Sequence, residues 1–147
     1  MKPLVRTDAS WAPAILRIGL GAAMFPHGAQ KLFGWFGGGG FLPTLQLFTT
    51  QMHIPALLAV LVILAESLGS VGLILGLLTR VAAFGIACVM VGAVAMVHWH
   101  NGFFMNWSGH QAGEGFEYHV LAITICLALM VAGGGRYSLD RKMTQCL

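Results

Sequence analysis

Residues 55–78 read PALLAVLVILAESLGSVGLILGLL, a stretch in which Glu66 is the one charged side chain. A helix needs roughly 20 predominantly apolar residues to cross the hydrocarbon core of a bilayer, and this stretch is long enough. Its apolar positions do not alternate with polar ones, so it is not a barrel strand. The same signature recurs upstream and twice downstream. The apolar runs predict membrane-spanning helices over 12–35, 55–78, 81–99 and 116–132. The expected architecture is therefore an all-α membrane protein, a four-transmembrane-helix bundle forming a single domain over residues 1–147. Composition agrees: 57% of residues are hydrophobic and 9% charged, against about 45–50% and about 25% in soluble domains. A soluble globule of this composition would expose a largely apolar surface.

Punctuation sets the ends. Pro13 and Pro55 open the first and second helices, where a missing N–H costs little. Gly34 and Gly37 to Gly40 end the first, and Gly133 to Gly135 end the fourth. Between the second and third helices a short turn at Thr79-Arg80 implies an antiparallel hairpin. Lys2 and Arg6 precede an apolar run as in a signal peptide, but Arg17 interrupts that run and no convincing cleavage site follows, so it reads as a retained helix.

Basic residues orient the bundle. With four spans, the termini and the Thr79-Arg80 turn share one side, which carries Lys2, Arg6, Arg80, Arg136, Arg141 and Lys142, whereas the other side has only Lys31. The positive-inside rule places both termini in the cytoplasm and the chain in the inner, or plasma, membrane. The loops at about 36–54 and 100–115 then face outward. In the first, Phe41, Leu45, Phe48 and Met52 recur at spacings of four, three and four, which predicts a short amphipathic helix in the interface. In the second, aromatics mix with histidines and glutamates. Trp35, Trp99 and Trp107 fit an interfacial belt.

Several functions are excluded. The basic residues form no stripe with interleaved aromatics, so nucleic acid is not an expected partner. Cys88, Cys126 and Cys146 form no CxxC pair. Gly37 to Gly40 lack a following Lys-Ser/Thr and are not a phosphate loop. Gly69, Gly72, Gly76, Gly85 and Gly92 read as close helix contacts, with Gly72 and Gly76 a GxxxG pair.

A charge inside a bilayer needs a partner or a purpose. Glu66 lies eleven residues beyond Pro55, about 17 Å along a helix at about 1.5 Å per residue, near the midplane. It is either protonated or paired with a cation. On the first helix, Arg17, Met24, His27 and Lys31 fall within roughly 80° on a helical wheel. Pro26 disturbs the backbone beside His27. Arg17 and Lys31 either snorkel to the nearer interface or pair inside the bundle. A polar cluster of His27 or Lys31 with Glu66 is expected. A second group, His98, His100, His110, Glu114, Glu117 and His119, gathers at the outer ends of the third and fourth helices. His-x-His with carboxylates is a style of metal chelate, but the spacing is unspecific and no metal is expected. Glu117 also suits the first turn of a helix by itself.

These residues resemble the DoxX family. Arg17, FPHGAQKLFG from Phe25 to Gly34, Glu66, and LILGLLTRVAA from Leu73 to Ala83 are similar to its helix motifs. So are His98, Gly102-Phe103 and Glu117, and the closing GGGRYSLD from Gly133 to Asp140, where Gly134 stands in place of a frequent proline. The resemblance implies a four-helix membrane protein of oxidoreductase type, akin to the DoxD subunit of a thiosulfate:quinone oxidoreductase, acting in sulfur, thiol or oxidative-stress chemistry, partly through soluble partners. On that reading His27, Lys31 and Glu66 are catalytic. Quinone is the cofactor, bound by the same three residues together with His98 and Glu117. A tunable proton donor is what quinone reduction requires. Expected partners are the lipid bilayer and a soluble redox protein, with a homo-oligomer left open. Two alternatives stand beside it: a non-enzymatic membrane anchor or assembly partner for a soluble redox protein, and a small transporter with buried charges lining a path.

Overall fold

The computed structural model describes residues 2–146, with side chains from Leu4 to Gln145. The side chains of Lys2, counted above on the basic side, and of Cys146 lie outside the described residues. Among these residues helix is the regular structure throughout: α1 (Lys2–Val5), α2 (Trp11–Phe33), α3 (Phe41–Gln46), α4 (Ala56–Leu75), α5 (Thr79–Ala93), α6 (Glu117–Ala132) and α7 (Leu139–Cys146). The helices α3 and α5 run on into wider, π-type turns at Leu47–Gln51 and Val94–His98. The long helices pack in sequence, α2 on α4, α4 on α5 and α5 on α6, and α6 returns to α2.

The observed ends have local causes. Ser10 accepts a hydrogen bond from the Ala12 N–H and starts α2. Gly34, at φ 74°, ends it in the left-handed conformation open to glycine. Helix α2 continues through Pro26. Gly76, at φ 67°, stops α4 at Leu75, three residues short of the expected end. The hairpin turn therefore lies at Gly76–Leu78, and Thr79-Arg80, expected to be the turn, opens α5 instead.

The GxxxG expectation is corrected as well. Gly76 is a helix stop, and nothing lies within 4 Å of a Cβ added at Gly92. Gly69 on α4 and Gly85 on α5 do face the neighbouring helix, where an added Cβ would meet Ile86 at 3.5 Å and Ala65 at 3.3 Å, and the tightest approach between long helices is at Gly21 and Gly28 on α2. A Cβ at Gly28 would sit 2.6 Å from the Glu66 carbonyl oxygen, and one at Gly21 would sit 2.9 Å from that of Ser70. Ser67 Oγ donates across this seam to the Gly28 carbonyl at 3.0 Å. Small residues here bring two backbones together.

Two apolar cores result. Leu20, Met24, Leu73, Ala83, Ile86, Met90, Cys126 and Leu129 form one among the four long helices. Phe48, Ala59 and Ile63 form the other, joined by Phe41, Leu45 and Met52. The α3 stripe read from the sequence thus folds back onto the start of α4.

The end of the bundle near α1 and α7 is closed by polar groups. Arg17 is 1% exposed and does not snorkel. Its Nε donates to the Gly134 carbonyl at 2.8 Å, Nη1 to Leu73 at 3.0 Å and Ile74 at 2.5 Å, and Nη2 to Arg136 at 3.3 Å and Tyr137 at 3.0 Å. Except for Leu73, which also accepts the Gly76 N–H, these are carbonyls that a helix end and the chain after α6 leave without helical partners. Buried Asp140 accepts from the Leu78 and Thr79 N–H groups at 2.6 and 2.8 Å, capping α5 from sixty residues away in the chain.

Two helical stretches, Ala56–Leu75 and Thr79–Asn101, are long and apolar enough to cross a membrane by length and composition; α6, with 16 residues, is shorter. Large apolar side chains face outward from all four long helices, among them Ile15 and Ile18, Leu57 and Leu68, Phe84 and Val91, and Leu121 and Val131.

Candidate functional site

Lys31 and Glu66 meet. Lys31 Nζ lies 2.5 Å from Glu66 Oε2, with Glu66 almost wholly buried and Lys31 about a quarter exposed. Gly28 sets this geometry: the close approach of α2 and α4 at Gly28 and Ser67 brings Lys31, one turn further on, over Glu66. No other ion pair occurs among the described residues.

The pair separates two cavities. Lys31, Glu66 and Ala93 line both. One, of about 290 Å³, is polar on its far wall and is lined by His27, His98, His119, Glu114 and Tyr118 along with Met24, Met90 and Met105. The other, of about 230 Å³, is bounded by α4, α5 and the segment after α3, with Phe48, Met52, Ile54, Val62, Cys88 and Val97 on its walls. Lys31 and Glu66 are the only charged residues lining this second cavity.

The histidines come from three helical segments. His98 ends the wide turn that follows α5, and its ring centroid lies 4.2 Å from that of His119 on α6. His98 Nδ1 is 2.8 Å from the Glu114 carbonyl oxygen. A carbonyl can only accept, so Nδ1 carries the proton and Nε2 is left as a base. His119 is buried, and its Nδ1 has no hydrogen-bond partner. A buried polar atom without a partner is costly, and here it borders a cavity that could bring one. His27 is exposed on α2 and borders the same cavity.

Glu117 is placed differently. It does not line the cavity: Oε2 accepts the Met105 N–H at 3.4 Å, and its own N–H donates to the Phe103 carbonyl at 2.9 Å. Glu114 takes the cavity position, its carboxylate held by the Asn106 N–H at 2.8 Å. The loop reaches this shape through Gly115, where a Cβ would meet the carbonyls of Gly102 and Phe103 at 2.7 Å. His100 and His110 are exposed and line neither cavity. Among the described residues no three His, Cys, Asp or Glu side chains are grouped to hold a metal ion.

Sequence reasoning placed Met24 on the face of His27 and Lys31 but missed Tyr118, Met90 and Met105. Tyr118 Oη reaches Met24 Sδ at 3.5 Å. In sequence these are an ordinary aromatic and ordinary apolar residues, and only the helix packing brings them to one cavity. The wide turn at Val94–His98 left a sequence trace only in the histidine that ends it. Such turns inside helices recur at functional sites.

The profile of the DoxX family matches residues 12–99, from the start of α2 to just past the wide turn that follows α5, and so includes Arg17, His27, Lys31, Glu66 and His98. Glu114, Glu117, His119 and the closing segment lie beyond the match. No curated protein matches the chain closely enough to stand as a relative, and no solved structure does. With more than half its length matched, and with its ion pair set between helices whose outer faces are apolar, the chain belongs to the DoxX family and is a membrane protein of that family.

Proposed function

We propose that the protein is a membrane-embedded oxidoreductase, or the membrane subunit of one, which delivers electrons to a quinone held against Lys31 and Glu66. The observation that carries this reading is the single buried ion pair standing between an apolar cavity and a histidine-lined one. The apolar cavity is smaller than the about 300–1,000 Å³ of drug-sized sites, which suits one substituted ring with its isoprenoid tail left in lipid. Reducing a quinone to a quinol takes up two electrons and two protons. Lys31 stabilises negative charge on the ring oxygen that gains electrons. Glu66, freed from Lys31, holds and releases a proton. His27, His98 and His119 carry protons between Glu66 and the outer loops. The electrons come from a thiol or related sulfur compound, directly or through a soluble partner; two thiols give one disulfide, two protons and two electrons.

This reading places α2, α4, α5 and α6 across the bilayer. Helix α6 is about 24 Å long at about 1.5 Å per residue, short of a roughly 30 Å core, and a local thinning of the bilayer accommodates such a mismatch. Arg6, Arg80, Arg136, Arg141 and Lys142 share the end that Arg17 closes, so that end and both termini are cytoplasmic. Trp11 at this end and Trp35, Trp99 and Trp107 at the other are exposed, as interfacial belts require.

The test is extraction of the detergent-purified protein and chromatography of its lipids. Quinone in near-stoichiometric amount supports the reading. Protein free of quinone but bound to a soluble protein supports a membrane anchor, a role to which the exposed loop aromatics Phe104 and Trp107 also lend themselves.

A further inference from the structure

We infer that the cytoplasmic end carries a site for the phosphodiester head group of an anionic membrane lipid, built from Arg136, Arg141 and Lys142. The inference needs the chain in a bilayer and is independent of the redox chemistry. A pocket of about 260 Å³ lies along α7 and the segment that leads into it, lined by these three cations with Tyr137, Ser138 and Gln145. Among the described residues no carboxylate lines it. The nearest acid in sequence, Asp140, is buried with both oxygens engaged by α5. None of the three cationic side chains forms an ion pair among the described residues. Three positive charges face one cavity with no anion among the described residues to answer them.

Two further observations favour a lipid over a free anion. The Arg136 guanidinium lies 4.9 Å from the Trp11 ring and 5.4 Å from that of Tyr137. Aromatic stacking orders a guanidinium while leaving its N–H donors free for phosphate. Trp11, Tyr137 and Ile15 on the next turn of α2 are exposed by 53%, 72% and 66%. The charges therefore sit at head-group depth beside an apolar face that acyl chains would cover, the arrangement by which basic pockets at helix ends select anionic lipids. A free phosphate would use the charges and leave that face bare.

The experiment is native mass spectrometry of the full-length protein in detergent, with equimolar phosphatidylglycerol and phosphatidylcholine of identical acyl chains. The wild type should retain the phosphatidylglycerol preferentially. At about fivefold per basic residue, the double variant Arg141→Gln/Lys142→Gln should reduce the preference about twenty-five-fold. Neither side chain is tied to the fold by a hydrogen bond in the structure, and equal thermal stability of the two proteins without lipid verifies folding. The charge-keeping variant Lys142→Arg should keep the preference. An unchanged ratio in the double variant overturns the proposal. So does complete displacement of phosphatidylglycerol by excess inorganic phosphate, which would make this an ion site. Release of an acidic soluble protein by the double variant, with the lipid ratio unmoved, would assign the patch to a protein partner instead.

Discussion

At the scale of single residues, Arg17 and Lys31 have opposite fates although they share a helix face. Fourteen residues separate them, about 21 Å along the axis, so a common wheel position does not mean a common environment. Lys31 was legible because Glu66 lies at matching depth on the next long helix. The role of Arg17 was not, because three of its five acceptors lie on the chain after α6, which sequence spacing cannot bring to α2. Replacing Arg17 with methionine strands those carbonyls and should cost about 3 kcal/mol, read from unfolding in mixed micelles; a loss below about 1 kcal/mol would show that water reaches them. Gly28→Ala should cost about 1–3 kcal/mol by overpacking, since its Cβ meets backbone rather than a movable side chain. Gly19→Ala, with open space around it, serves as the neutral control in the same unfolding assay.

At the scale of elements, the sequence showed where apolar helices run but not what stops them. Helix α4 ends at Gly76 because the Ser138 region and Arg17 pack against that glycine, leaving no room for a side chain. Helix α5 begins at Thr79 because Asp140 caps it. Only structure reveals a cap supplied from the far end of the chain. Asp140→Asn keeps the shape but loses one of the two hydrogen bonds, because an amide nitrogen cannot accept from an N–H, and removes the charge from the other. It should destabilise the protein by about 0.5–2 kcal/mol, and hydrogen exchange should rise first at the start of α5. Exchange that rises uniformly over the bundle would mean that Asp140 supports the whole end of the bundle near α7 rather than one helix. The loop before α6 was the least legible element. Glu114 and Glu117 lie three residues apart and the sequence singled out Glu117, yet backbone hydrogen bonds of the loop send Glu114 to the cavity and Glu117 to the Met105 N–H.

At the scale of the whole molecule, the bias of Lys and Arg to one end predicts the orientation. With native cysteines removed, cysteines introduced at positions 53 and 110 should react with an impermeant thiol reagent in intact cells, and one at position 2 should react only after lysis. Labelling of position 2 in intact cells would reverse the bundle. The central claim is chemical: the Lys31–Glu66 pair holds and releases a proton at a quinone. Glu66→Gln keeps volume and hydrogen-bonding capacity but cannot release a proton. The stranded Lys31, already partly exposed, can turn toward the outer interface, so the fold should survive. The decisive measurement is quinone reduction by wild-type and Glu66→Gln protein in proteoliposomes supplied with a thiol reductant, with thermal stability taken on the same samples. The account predicts a melting temperature close to wild type and a rate reduced at least about a hundredfold, the scale of lost general acid–base catalysis. Undiminished reduction by the variant would contradict it.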